Sequence, residues 1–281
     1  MSKKISKLEL ILFGLKIGFY SLIRGNFKIA FKRILLPINY WRVTIFSIVA
    51  NYILNLNFNN ITDIKILDIG SPKLLSLFLS FQLNCKIFST DLQDKSLFTE
   101  WEKHFHNMPQ KKNIIFEFAN AKELKYPDNH FDIVYSLSVI HMITPGENGD
   151  ILALKEIQKK IKPGGFLILE VPYRKKYSVN FVNSDNFEEK YSGKPLFRER
   201  QYDDEALQTR IEKNIRGVLI EKIILYEKLP FDYIWNILPK FITTFLAFIE
   251  PWADVINISI TQNKKQMDSG RSVILIFKLR G

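Results

Sequence analysis

Residues Ile66-Leu67-Asp68-Ile69-Gly70-Ser71-Pro72-Lys73 read as a hydrophobic strand that runs into a tight turn and then a helix. Glycine at such a turn permits a positive φ and lets a ligand come close to the backbone. Twenty-three residues after Asp68 comes Asp91, closing a second strand in Phe88-Ser89-Thr90-Asp91-Leu92. A carboxylate at that place can accept hydrogen bonds from both hydroxyls of a ribose, so the pair suits any adenosine-containing ligand. Two later segments add detail. Phe118-Ala119-Asn120-Ala121 puts an amide side chain after a third strand, with the tight acidic turn Tyr126-Pro127-Asp128-Asn129 before a fourth. Ile161-Lys162-Pro163-Gly164-Gly165-Phe166-Leu167 then ends a helix and opens a fifth strand.

The elements that must carry these residues alternate. Strands are expected at Lys65–Ile69, Lys86–Thr90, Asn113–Phe118, Phe131–Ser136 and Phe166–Val171, with helices over Pro72–Leu83, Leu97–Phe105 and Ile151–Ile161 between them. Such alternation predicts crossover units and a doubly wound, largely parallel sheet of the α/β class, with the ligand at the strands' C-terminal ends. Residues 172–203 are polar, aromatic and basic, which suits a lid, with Tyr191, Arg198 and Tyr202 as its candidate contact residues. A helix capped by Asp203 or Asp204 and strands at Val218–Tyr226 and Ser272–Leu279 follow. Between those strands, residues 229–270 form an apolar insertion, broken below membrane-spanning length by Pro230, Pro239, Asp232 and Lys240.

Of the formal net charge of +11, +8 lies between Met1 and Thr62, where nine basic residues face one acid, Glu9. Residues 1–55 therefore read as a basic, amphipathic helical extension before an α/β domain over 56–281. The run Leu8–Ile23 is interrupted by Glu9 and Lys16 and should not cross a bilayer. From Phe27 to Leu36, Phe27, Ala30, Phe31 and Ile34 share one helical face while Arg24, Lys28 and Lys32 share another. That pattern suits peripheral contact with an anionic membrane, and equally a helix packed on the main domain with solvated lysines. Gly14 and Gly18 form a weak G-x-x-x-G signal. The single Cys85 excludes an internal disulfide and a cysteine-based zinc site, and four scattered histidines give no metal-ligand spacing. No metal is expected, and the compartment reads as reducing, hence cytoplasmic.

Taken in order and spacing, these segments resemble the class I S-adenosylmethionine-dependent methyltransferases of the small-molecule branch, from Ile64 to Tyr173 and more loosely to Leu279. Arg198, Arg200, Tyr202 and Leu207 resemble that branch's arginine–tyrosine stretch before its last helix. The resemblance implies a Rossmann-like, mostly parallel sheet of seven strands and S-adenosyl-L-methionine as cofactor. It implies that Asp68, Gly70 and Ser71 hold the cofactor's amino-acid end, that Asp91 takes the ribose hydroxyls, and that Leu92 lies against the adenine. Asn120 would face the adenine amino group, Ala121 would give the ring a backbone N–H, and Ser136 would approach the methionine moiety. His141 lies just past Ser136, towards the substrate, and is the one named candidate for a general base. The family's turn is G-x-G-x-G, whereas here Gly70 is followed by Ser71-Pro72-Lys73, and its adenine-contacting Asp is Asn120.

Methyl transfer from a sulfonium is an in-line displacement from an activated donor, so alignment is the chief demand on the protein. The basic N-terminus and the Phe/Trp-rich insertion point to a hydrophobic or amphiphilic small acceptor met at a membrane surface. A second reading is a non-catalytic scaffold with this fold, suggested by Gly70-Ser71-Pro72. A third, methylation of nucleic acid, draws on the pI of about 9.5. It lacks support from the amino-methyltransferase P-P-Y after strand four, and the missing G-x-G-x-x-G argues against a nicotinamide enzyme.

Overall fold

The computed structural model describes residues 4–56, 64–83, 85–92, 113–186, 188–261 and 270–280. Five strands alternate with crossovers as their apolar runs require: β1 (Lys65–Ile69), β2 (Lys86–Asp91), β3 (Ile114–Phe118), β4 (Phe131–Leu137) and β5 (Ile161–Pro172). With β8 (Gly217–Glu227), β9 (Ile258–Thr261) and β10 (Gly270–Leu279) they form one sheet in the order β3-β2-β1-β4-β5-β10-β8-β9. The first five are parallel; β10 is antiparallel to both β5 and β8, so β8 points the same way as β5. Parallel strands buried on both faces read as continuous apolar runs, and β1, β4 and β5 do so. Eight strands stand where seven were expected: the extra one, β9, closes the insertion and pairs with the end of β8. The expected helix at Leu97–Phe105 lies outside the described residues.

Among the described residues, two helices connect the parallel strands, α4 (Leu74–Gln82) and α5 (Gly149–Lys160), after the three N-terminal helices α1 (Lys7–Ile23), α2 (Phe27–Leu35) and α3 (Arg42–Leu54). The glycine pair after α5 does not form a separate turn. β5 starts at once, and Gly164 (φ +75°) sits inside it where the register against β4 slips between Phe131 and Ile133. The 172–203 segment contains a hairpin, β6 (Ser178–Val182) and β7 (Leu196–Gln201). Asp203 then caps a short helical stretch, α6 (Asp204–Ala206), by accepting from Ala206 N–H at 2.8 Å, and a π-type turn, Leu207–Ile211, continues it.

The N-terminal helices are built into the fold. Ser6 and Glu9 make a reciprocal capping box that starts α1. Ile11, Ile17, Val43 and Phe46 share one apolar cluster with Ile66 of β1 and Leu75 of α4. Gly14 and Gly18 serve intramolecular packing: a Cβ on Gly14 would lie 2.5 Å from Pro37 O, and one on Gly18 3.0 Å from Ile34. The insertion forms α7 (Phe231–Ile237), α8 (Lys240–Phe245) and α9 (Glu250–Asn257). Its last helix is bolted down. Asp254, fully buried, accepts from Thr44 N–H at 3.1 Å and from the Thr44 hydroxyl. Lys7 Nζ reaches the Asp254 carbonyl at 3.4 Å, where a cation complements the helix C-terminus.

Candidate functional site

The C-terminal ends of β1 to β4 border a cleft that is open to solvent. Gly70 turns the chain at its floor with φ +65°, donating its N–H to Thr90 O at 2.8 Å. A Cβ there would sit 2.9 Å from Val139 Cγ1, so only glycine keeps this turn unstrained and open. Asp91 and Leu92, at the end of β2, line the cleft with Asn120 and Ala121 from the loop after β3. The Ala119 N–H donates to Asp91 O at 3.0 Å and holds the two loops together. Asn120 Oδ1 accepts from Lys122 N–H at 2.9 Å in a local turn, and among the described residues this is the one hydrogen bond of its side-chain amide, which has a further lone pair and an NH2.

Four of the residues singled out from the sequence stand behind that surface. Asp68 is fully buried and braces the turn rather than facing the cleft: its carboxylate accepts from Ser71 N–H at 3.1 Å, Ser89 Oγ at 2.8 Å and the Ser76 hydroxyl. Burial raises its pKa, with the Lys73 ammonium 3.7 Å away and these hydrogen bonds opposing. Ser71 Oγ accepts from Leu137 N–H at 2.8 Å, and Ser136 Oγ donates to Ile69 O at 3.1 Å. Both are buried and tie the end of β1 to β4 instead of reaching a ligand. His141 is 4% exposed and does not line the cleft; Met142 and Ile143 beside it do. Its Nε2 is 3.8 Å from a Glu199 carboxylate oxygen, and its Nδ1 is buried without a hydrogen-bond partner among the described residues. Burial, reinforced by the Arg42 and Arg200 guanidinium groups, pushes its pKa down to about 3. A neutral imidazole whose charged form is so disfavoured is a poor proton acceptor.

Other residues complete the site. Ser138 lines the cleft in a left-handed conformation (φ +58°) uncommon for a side-chain-bearing residue. Its hydroxyl accepts from Arg42 Nη1 at 2.8 Å and donates to the Glu170 carboxylate, whose other oxygen accepts from the Ser272 hydroxyl. A hydroxyl polarised from both sides at a cleft wall can orient a polar atom of a bound molecule. Arg42 had no sequence signal, because it belongs to the N-terminal extension and reaches the site only through the packing of α3. Glu188, the lid segment's contribution, closes the other end of the cleft, accepting from Lys122 Nζ at 2.9 Å and Thr144 N–H at 3.0 Å. Of the candidate lid residues, Tyr191 and Arg198 are exposed and Tyr202 is fully buried with its hydroxyl on Asp150 at 2.9 Å. Arg200, also fully buried, donates to the carbonyls of Ile143 and Gly146 at 3.0 Å each and so fixes the loop that carries Met142 and Ile143.

The sequence family described as a methyltransferase domain matches residues 67–169, the stretch from β1 to β5 that builds this cleft. Over this stretch the chain is similar to that methyltransferase family. The ubiquinone/menaquinone biosynthesis C-methyltransferase UbiE of Shewanella frigidimarina (strain NCIMB 400) is 37% identical over 57 residues, 20% of this chain. The chain matches 21% of that relative's length. Among solved structures, the [4+2]-cyclase SpnF is similar over 100% of this chain and 98% of its own, with a TM-score of 0.54 at 14% identity. A S-adenosylmethionine-dependent methyltransferase from Methanosarcina mazei gives 0.51 at 14% identity, over 83% of this chain and 97% of its own. Geranyl diphosphate C-methyltransferase from Streptomyces coelicolor A3(2) gives 0.51 at 10% identity, over 83% of this chain and 77% of its own. At these identities the structural likeness shows the shared fold alone.

The residues that line the cleft fit an adenosine. The bare backbone at Gly70 and the Asp91 carboxylate lie in one cleft with the Asn120 amide, and the apolar side chains of Ile69, Leu92 and Val139 line the space between. The departure from the family's glycine turn also has a physical reading here. Ser71 and Lys73 supply side-chain bonds, the lysine's Nζ donating to Thr90 O at 2.7 Å and lying 3.6 Å from an Asp91 oxygen.

Proposed function

We propose that the protein transfers a methyl group from S-adenosylmethionine to a small hydrophobic acceptor met at a membrane surface. The observation that carries the cofactor part is the convergence of Gly70, Asp91 and Asn120 in one cleft at the strands' C-terminal ends. Asp91 holds the ribose hydroxyls, Leu92 packs on the adenine, and Asn120 with Ala121 meets its edge. The bound cofactor supplies the activated methyl group, and the protein's task is to align an acceptor with it and to exclude water. Val139, Met142 and Ile143 give the acceptor an apolar wall, with the Ser138 hydroxyl as its polar contact. The exposed phenylalanines of α2 and of the insertion support the membrane part.

Calorimetry with S-adenosylhomocysteine tests the reading. The natural chain should bind, and Asp91→Ala should bind about 10- to 100-fold more weakly, the size expected for hydrogen bonds to a charged group worth about 1.5–3 kcal/mol. Absence of heat with the natural chain overturns it. That outcome would favour the second reading, a non-catalytic scaffold, which the crowded turn supports: Lys73 already lies against the carboxylate that a ribose would use.

A further inference from the structure

The exposed apolar surface is concentrated on two neighbouring elements. On α2, Ile29 and Ala30 are buried, while Phe27 and Phe31 are 59% and 60% exposed. In the insertion, α7 and α8 bury no residue, and Phe241 and Phe245 of α8 are 75% and 79% exposed. The two elements adjoin, since α2 touches the turn Ala247–Ile249 that follows α8. Large aromatic rings presented this way are what a soluble surface avoids. The charge around them has one sign. Among the described residues of 20–36 and 228–256, every exposed charged side chain is basic: Arg24, Lys28, Lys32, Lys228 and Lys240. The acids of that stretch, Asp232, Glu250 and Asp254, are buried or half-buried, and their carboxylates accept hydrogen bonds from Asn236, Trp235 and Thr44 respectively. No described helix is long and apolar enough to cross a membrane.

We infer that α2 and the α7–α8 insertion together form one docking face that lies in the headgroup layer of an anionic membrane, and that this face opens onto the rim of the cleft. The occupant is fixed by the chemistry, because phenylalanine rings flanked by lysines gain both from acyl-chain burial and from attraction to anionic lipid. The place is fixed by topology. The insertion leaves the sheet at the C-terminal end of β8, the end shared with β4 and β5. The segment between α2 and α3 meets it there: Tyr40 Oη donates to Glu227 Oε1 at 2.8 Å, and the Tyr40 N–H to Glu250 Oε2 at 2.9 Å. Two residues on, Arg42 reaches Ser138 in the cleft wall. The inference rests on the proposed function for its purpose, since it names the surface from which a hydrophobic acceptor enters.

Flotation of the full chain with vesicles of equal parts phosphatidylglycerol and phosphatidylcholine tests it. The natural chain should float with these and stay behind with pure phosphatidylcholine. The pairs Phe27→Ser/Phe31→Ser and Phe241→Ser/Phe245→Ser should each lower the bound fraction at least tenfold. Lys28→Glu/Lys32→Glu should give a similar loss, which added salt reproduces in the natural chain. Calorimetric binding of S-adenosylhomocysteine should be the same in all of them. That measurement reports folding and the cofactor reading separately from docking. A natural chain that ignores both vesicle types overturns the inference, as do phenylalanine variants that float unchanged. So does gel filtration showing a dimer that either phenylalanine pair converts to monomer, since the face would then be covered by a second copy.

Discussion

Replacing His141 by leucine should flatten the acid side of the stability curve. The imidazole's pKa falls from 6.5 to about 3 on folding, through burial first and the Arg42 and Arg200 charges next. The sign follows from linkage. Below pH 6.5 the unfolded chain binds a proton at this side chain that the folded chain refuses, so stability is lost as pH falls from 6.5 towards 3 and is unaffected above. Each pH unit in that window costs about 1.36 kcal/mol, so at pH 5.0 this one residue removes roughly 2 kcal/mol. Leucine has no proton to bind, and because Nδ1 lacks a hydrogen-bond partner among the described residues the substitution leaves no bond of that atom unmade. The assay is urea denaturation of both proteins between pH 7.5 and 5.0, with stability extrapolated linearly. Titrations common to the two proteins cancel in the difference. The difference between the curves should be constant above about pH 7, and below it the natural chain should lose roughly 2 kcal/mol relative to the variant by pH 5.0. Parallel curves would refute the reasoning: they would mean that the folded imidazole titrates normally, reaches solvent and is available as a base.

Gly70→Ala forces a side chain into φ +65° and against Val139, costing about 1–3 kcal/mol; thermal melts with and without S-adenosylhomocysteine should show both a lower midpoint and a smaller ligand-induced rise. Lys73→Met removes the cation between buried Asp68 and half-buried Asp91, at 3.7 Å and 3.6 Å, and should destabilise the fold by about 3–5 kcal/mol at pH 7. With the ammonium gone Asp68 titrates still higher, so the loss measured by denaturation should grow with pH once pH passes the already raised pKa of Asp68 in the natural chain, and a loss independent of pH would refute the ion-pair account.

What could be read in the sequence was whatever depends on a short window. Ile66–Lys73 announces its strand, turn and helix because apolar residues, one glycine and one proline follow each other directly, and Asp91 and Asn120 inherit their place from the strands they end. What depends on contacts between distant segments was hidden. Asp68 reads like a ligand group because acids at strand ends usually are, but Ser76, Ser89 and Lys73 surround it in space and take its lone pairs. Asn120 spends one acceptor site on Lys122, two residues away, which composition cannot distinguish from a free amide. Arg42 lies 96 residues from Ser138 in the chain, and only the packing of α3 brings them together. The eighth strand was missed because Ile258–Thr261 is four residues long and gains its identity from pairing with β8.

The N-terminal helices thereby change meaning. Read along the chain they are a basic leader before a domain; folded, α1 and α3 are part of the core, α2 is the surface left over, and Arg42 polarises a hydroxyl in the cleft. Removing residues 1–36 would therefore test core stability as much as membrane contact. The arrangement also bears on how a hydrophobic acceptor could be used at all. Moving a ten-carbon chain from lipid into water costs about 8 kcal/mol, at about 0.8 kcal/mol per methylene, which depletes the free acceptor by roughly a millionfold. A cleft reached only from solvent would have to work from that residue. A cleft whose rim is continuous with the docking face avoids the aqueous state, so with long-chain acceptors turnover should follow acceptor density in the membrane rather than its concentration in water.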